Sequence, residues 1–396
     1  MIQYPKSFSE IQINKSILKN RICASPISLN MATTTGQITG EILSYFKNLA
    51  DGDLGLIIVG NACVSNIGKG AKNEIVIGQN DKFDGIKKLS EIIKYNGSKS
   101  CIQVAHCGAQ GNTKYSGEIV VGPSEYTVPT IGIKSKSLNI NEIKSIEEEY
   151  ISAIIQADKA GFDFIEIMMA HGYLIHQFLS EHTNKREDDY GGSEENRLRF
   201  IKNIFEKINN YVDLKKIAVR ITGDDYLENG LNINKLKFLI NYLNKKEISY
   251  YAVTAGIYET APQKYTHMKK GCYWDYAKQL KEHTKIPIMA QGNITKISEG
   301  EEILKKKQAD FWGMGQALIA DPKLVKKTIN KNEDEVYMCL AHIKVGSCHR
   351  CRYLKQKDKD FACVTPGSWS PNLNNKINAN KRKKDINFWK KIINNL

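Results

Sequence analysis

At 396 residues and a formal charge of +14, the chain is long for one ordinary domain and basic overall. Its hydrophobic fraction of 41% suffices for a large core, yet no run of about 18 apolar residues occurs, so no membrane-spanning helix is expected. The positive charge is spread along lysine- and asparagine-rich stretches (KKLSEIIKYNGSKS, NYLNKKEISYY), which reads as composition and not as a nucleic-acid footprint. The opening MIQYPKSFSEIQIN lacks a positive segment followed by an apolar one, and nine cysteines, an odd number, gather late in the chain. Both features point to a reducing, cytoplasmic setting.

Residues 1–20 read as a lead-in, a hairpin plugging the bottom of a barrel. Arg21 to Ser28 forms the first expected strand, ended by Pro26, and 41–51 looks helical. Gly55 to Gly60 is a continuous apolar run that suits a strand buried on both faces, and it delivers Asn61 to its C-terminal end. An amphipathic helix over 81–96 precedes the third strand, Cys101 to Val104, and residues 111–140 are a polar, irregular excursion. A helix over 141–160 leads into Phe162 to Ile167, the fourth strand, which places His171 and Tyr173 just beyond its end. Ser193 is a natural N-cap, with Glu194 and Glu195 favouring the positive start of the next helix.

Ile217 to Ile221 is the fifth strand, and Arg220 within it is costly to bury unless paired. A helix over 234–246 and a strand from Ser249 to Thr254 follow, then strands Ile286 to Ala290 and Asp310 to Met314. The last two deliver Gly292-Asn293 and Gly315-Gln316, glycines placed as in the phosphate site of a barrel. Eight strands alternating with helices specify an α/β fold, a (β/α)₈ TIM barrel over residues 1–335. A Cys-rich extension over 336–370 and a basic Asn/Lys-rich tail over 371–396 come after it.

The central segment carries a sharper signal: Gly172-Tyr173-Leu174, Gln177-Phe178-Leu179, then Asn184, Arg186, Asp188, Tyr190, Gly191, Gly192, Ser193, Glu195, Asn196, Arg197, Arg199 and Phe200 at fixed spacing. This resembles the signature of the old yellow enzyme family, FMN-dependent reductases of activated alkenes. Ser25-Pro26-Ile27-Ser28 is similar to the family segment that passes along the flavin, and Ser28 corresponds to the small polar residue near the N5/O4 edge. Gln103, in a stretch resembling Q-L-x-H-x-G-R, is implied to bond the pyrimidine edge. Arg220 is implied to face the N1–C2=O region. Asn61, Gly292, Asn293, Gly315 and Gln316 complete the implied FMN contacts. The resemblance makes Tyr173 the proton donor and His171 a carbonyl-polarising group, with NAD(P)H as reductant, a small-molecule acceptor and a homo-oligomer as candidate assembly. Three departures stand out: Met168 where a second polar side chain is usual, Ala109 for an arginine, and Gln316 for the phosphate-binding arginine.

Cys339, Cys348, Cys351 and Cys363, followed by Val364-Thr365-Pro366, resemble the [4Fe–4S] segment of the branch containing 2,4-dienoyl-CoA reductase and trimethylamine dehydrogenase. Cys339 lies further from its neighbour than that pattern has it. Zinc, with His342 and His349 available, and free thiols are the other readings. A cluster without the branch's further flavin domain calls for an external electron-transfer partner or is structural. Competing functional readings are an electron-transfer module without reductase activity, and an FMN barrel that modifies RNA, such as a dihydrouridine synthase.

Overall fold

In this computed structural model, residues 3–116, 119–260, 271–337 and 339 are described. Eight strands form the frame: β1 Ile22–Ala24, β2 Leu56–Cys63, β3 Lys99–Ala105, β4 Phe164–Met169, β5 Ile217–Thr222, β6 Tyr251–Thr254, β7 Ile288–Ala290 and β8 Phe311–Met314. Each pairs in parallel with the next, and β8 returns to β1, so the eight strands close into a barrel; a short strand, Ile75–Val76, adds to the end of β2. This is the expected (β/α)₈ barrel. Among the described residues, no helix is long and apolar enough to cross a membrane.

Helices pack around the outside, among them α1 Gly40–Ala50, α2 Phe83–Lys94, α3 Ile140–Lys159 and α4 Glu194–Ile208. Their boundaries follow local chemistry. Asn139 and Glu142 form a reciprocal capping box at the start of α3, and the Ser193 hydroxyl accepts from Asn196 N at 3.2 Å to start α4. Along α3, Ile143, Ile146, Tyr150, Ile154 and Ala157 fall at helical spacing and are all buried against the sheet. Burying each large apolar side chain of this kind contributes roughly 1.5–3 kcal/mol.

The barrel interior is layered by the period of two along each strand. At the N-terminal end an apolar layer of Cys23, Cys101, Phe164, Ala218, Ala252, Met289 and Phe311 packs with Ile11, Ile13 and Leu18. Those three belong to an antiparallel hairpin, Ile11–Ile13 with Ser16–Leu18, which plugs the bottom as expected. Two residues further along the same strands come Ser25, Gln103, Glu166, Arg220, Thr254, Gln291 and Gly313. The core thus changes from apolar to polar in one step towards the C-terminal face.

Two strands depart most from expectation. The first stops at Ala24, because Pro26 has no N–H for the ladder. The second runs on to Cys63 because an irregularity between Val59 and Ala62 lets pairing with β3 resume at Ala62. Of the segments 336–370 and 371–396, all but residues 336, 337 and 339 lie outside the described residues.

Candidate active site

A cavity of about 390 Å³ opens on the C-terminal face of the barrel. Ser25, Pro26, Ser28, Asn61, Gln103, Arg220, Gly292, Asn293, Gly315 and Gln316 all line it, together with His171 and Tyr173. Ile27 stands just behind the wall, where a Cβ on Gly315 would approach its Cδ1 to 3.2 Å. Thr254, Gln291, Tyr258 and Tyr273 also line the cavity and were not anticipated. Thr254 and Gln291 were readable in principle, since each lies two residues beyond an inward-facing apolar residue.

The floor is a buried ionic network. Arg220 Nε donates to Glu166 Oε1 at 2.7 Å and Nη2 to Oε2 at 3.1 Å, with both side chains almost fully buried. Gln103 Nε2 donates to the same carboxylate, and the Tyr250 hydroxyl lies 3.3 Å from Oε2. The pairing that Arg220 required is therefore present, through a glutamate the sequence reading did not single out. The network also fixes polarity. With one amide N–H engaged below, Gln103 keeps its other N–H and its carbonyl oxygen, and Arg220 keeps Nη1. The Ser25 hydroxyl oxygen, itself buried, meets no hydrogen-bond partner among the described residues.

The rims at β7 and β8 are tailored for close backbone approach. Gly292 adopts φ +109°, and a Cβ there would come within 2.6 Å of Tyr273 Cδ2. Gly315 precedes the short helix Gln316–Ala320, whose first amides have no partner within the helix.

On the opposite wall, His171 takes a left-handed conformation (φ 59°), and Gln110 Nε2 braces it by donating to His171 O at 2.8 Å and Gly172 O at 2.7 Å. Its Nδ1 lies 3.1 Å from Gly256 O and its Nε2 3.2 Å from Thr254 Oγ1. A carbonyl only accepts, so Nδ1 carries the proton, and the neutral ring offers an acceptor at Nε2. Tyr173, half-buried, stacks on Tyr258 with centroids 6.3 Å apart. Burial, then the neighbouring Tyr258, holds its hydroxyl well above the usual phenol range. Tyr258 is tethered in turn, since Thr130 Oγ1 donates to its carbonyl at 3.1 Å. Next to it Glu259 joins Tyr126 and His182, with His182 Nε2 2.9 Å from the carboxylate. This clasp ties together the loops that follow β3, β4 and β6.

Residues 6–335 match the NADH:flavin oxidoreductase / NADH oxidase family. The chain belongs to the old yellow enzyme family. An NADH oxidase of Thermoanaerobacter brockii is 32% identical over 346 residues, 86% of this chain and 53% of that protein. An NADPH dehydrogenase of Bacillus subtilis is 31% identical over 332 residues, 84% of this chain and 96% of that protein. The chain thus spans about half of the first relative and nearly all of the second. Among solved structures, a 2-naphthoyl-CoA reductase complex superposes with a TM-score of 0.84 at 24% identity, over 91% of this chain and 57% of that one. The old yellow enzyme homologue from Zymomonas mobilis gives 0.70 at 22% identity, over 85% and 95%. At such identities the superpositions show the shared fold.

Against that family, Met168 is buried beside Ala105 and Ala170, and Tyr173 packs on the same cluster. Ala109 is fully buried, with its N–H directed at Gln177 Oε1 3.2 Å away, so the position is filled by packing. Of the four late cysteines, Cys348, Cys351 and Cys363 lie outside the described residues, while Cys339 is half-buried.

Proposed function

We propose that this protein is an FMN-dependent oxidoreductase passing hydride from NAD(P)H, through the flavin, to an activated C=C acceptor of the enone or enoyl type. The observation that carries this is the polarised floor of the cavity. The Gln103 amide and Arg220 Nη1 offer a donor–acceptor pair and a cation edge, with the Ser25 hydroxyl beside them, to a planar heterocycle that is itself rich in donors and acceptors. The residues fit FMN. Gln103, Arg220, Ser25, Ser28 and Asn61 would hold the ring, while the backbone at Gly292-Asn293 and Gly315-Gln316 would hold the phosphate. When bound, the flavin supplies two-electron hydride chemistry that no side chain can perform.

The chain's own residues do the rest. The Arg220 cation opposes negative charge gathering at the ring edge above it. Tyr173 keeps its proton at neutral pH and can deliver it to the carbon next to the one receiving hydride. His171 faces the cavity beside Tyr173, with Nδ1 anchored on Gly256 O and Nε2 next to Thr254, where it is placed to contact an acceptor carbonyl. Met168 offers that carbonyl no hydrogen bond. Gln316 supplies a neutral contact where an arginine would supply a charged one, so Gln316→Arg is expected to tighten FMN about five- to tenfold, measured by fluorescence quenching of the flavin.

An anaerobic absorption spectrum tests the reading, combined with NADH or NADPH reduction and turnover of a panel of enones and enoyl thioesters. Flavin bands that bleach with nicotinamide and recover with an alkene support it. A protein that remains colourless after FMN is added would sink it. Bleaching without recovery on any alkene would favour the electron-transfer reading, which Met168 supports by leaving the carbonyl clamp incomplete. Iron and acid-labile sulfide on the same sample decide whether Cys339, Cys348, Cys351 and Cys363 hold a cluster.

A further inference from the structure

Ser28 lines the cavity, and its hydroxyl lies 3.0 Å from Oε1 of Glu74, a carboxylate only 3% exposed. The other oxygen, Oε2, accepts from Gly70 N at 2.8 Å and lies 3.4 Å from Cys63 Sγ. Cys63 keeps its proton, since hydrogen bonding with Cys107, followed by burial, raises its thiol well above the usual range. A serine has a single proton and a carboxylate has none to offer. The Ser28 proton is therefore drawn to Glu74, and the face Ser28 turns to the cavity carries lone pairs only.

We propose that Glu74 is a positioning residue that fixes Ser28 as a hydrogen-bond acceptor towards the cofactor and thereby favours reduced over oxidised flavin. This rests on the FMN reading above, with Ser28 against the N5 edge. Oxidised N5 is an acceptor, so a bound oxidised flavin would set its lone pair against those of Ser28. Addition of a hydride from NAD(P)H, which leaves as NAD(P)⁺, turns N5 into an N–H donor, and the contact becomes a hydrogen bond.

Glu74→Gln reverses the arrangement. Gly70 N–H is a fixed donor and needs an acceptor, so the new amide oxygen takes the Oε2 position and the NH₂ faces Ser28. Ser28 then accepts from the amide and its proton turns into the cavity. The same substitution removes a buried negative charge, which by itself favours reduced flavin; the two effects have opposite signs. The test is the ratio of Kd for oxidised to reduced FMN, from the midpoint potential of the bound flavin, in wild type, S28A, E74Q and S28A/E74Q. E74Q is expected to lower this ratio about five- to tenfold relative to its effect in the S28A background. An equal effect of E74Q in both backgrounds would overturn the proposal. A second measurement needs no variant. Oxidised 5-deaza-FMN, with C–H in place of N5, is expected to bind wild type at least as tightly as FMN. Binding about fivefold weaker would mean that Ser28 donates there, and would overturn it as well. Wild type that takes up neither flavin would overturn the FMN reading itself.

Discussion

Tyr173→Phe is expected to slow hydride transfer to the acceptor by about 10²–10⁴-fold, the usual contribution of a placed general acid. Reduction of the flavin by NAD(P)H should change by no more than about threefold, since that half-reaction needs no proton from Tyr173. The environment of Tyr173 suits it to this role as much as its identity does. The ring is half-buried against Tyr258, and burial first, then Tyr258, raises the hydroxyl well above the usual phenol range. A raised pKa keeps the donor protonated to higher pH, so any loss of rate from Tyr173 ionisation should begin above about pH 10. Across neutral pH the acceptor half-reaction should show no titration from this group. Stopped-flow measurement of the two half-reactions separates the cases. Equal slowing of both would point to a displaced flavin and remove Tyr173 from the role of proton donor.

The architecture was legible because parallel strands buried on both faces read as unbroken apolar runs, and each run here was followed by a helical period. The part of the signature that follows Leu179 turns out to be scaffold. Arg186 Nε donates to Asp188 at 2.9 Å and Nη1 to Pro123 O at 2.8 Å, and Asn184 Nδ2 bonds Phe178 O and Tyr190 O at 2.7 and 2.8 Å. Those residues hold the loop after β4 against the excursion that precedes α3, so their fixed spacing records a turn geometry and not a chemistry. The reverse holds for Glu166 and Glu74. Glu166 is one charge in an apolar strand, and only the parallel register that sets it opposite Gln103 and one strand away from Arg220 gives it meaning. Glu74 is separated from Ser28 by 46 residues, and no local pattern joins them. Thr254 and Gln291 were within reach of the alternation rule, had it been carried one step past each apolar position.

Removing either partner of the Glu166–Arg220 pair is expected to damage the barrel severely. Arg220 and Glu166 have side chains 2% and 0% exposed, and each meets most of the other's hydrogen-bonding needs. Glu166→Ala leaves a guanidinium in the barrel interior without its counter-charge, a loss on the order of 3–5 kcal/mol. The Gln103 amide and Tyr250 hydroxyl lose their acceptor in the same step. Arg220→Met should cost about as much, since Glu166 then keeps only neutral donors. The double variant should unfold at a denaturant midpoint no lower than the worse single one, because the penalty in each single variant is mainly the abandoned partner charge. FMN affinity separates the two residues. Arg220→Met removes a group facing the cavity directly, whereas Glu166→Ala acts by releasing Arg220 and Gln103 from their fixed orientations. Both should weaken FMN, but only Arg220→Met should also abolish the electrostatic preference for the reduced flavin. Denaturant unfolding of the apo proteins beside flavin titrations reads both effects. If Glu166→Ala unfolds at the wild-type midpoint, the pair is not the keystone its burial implies, and the oriented floor loses its physical basis.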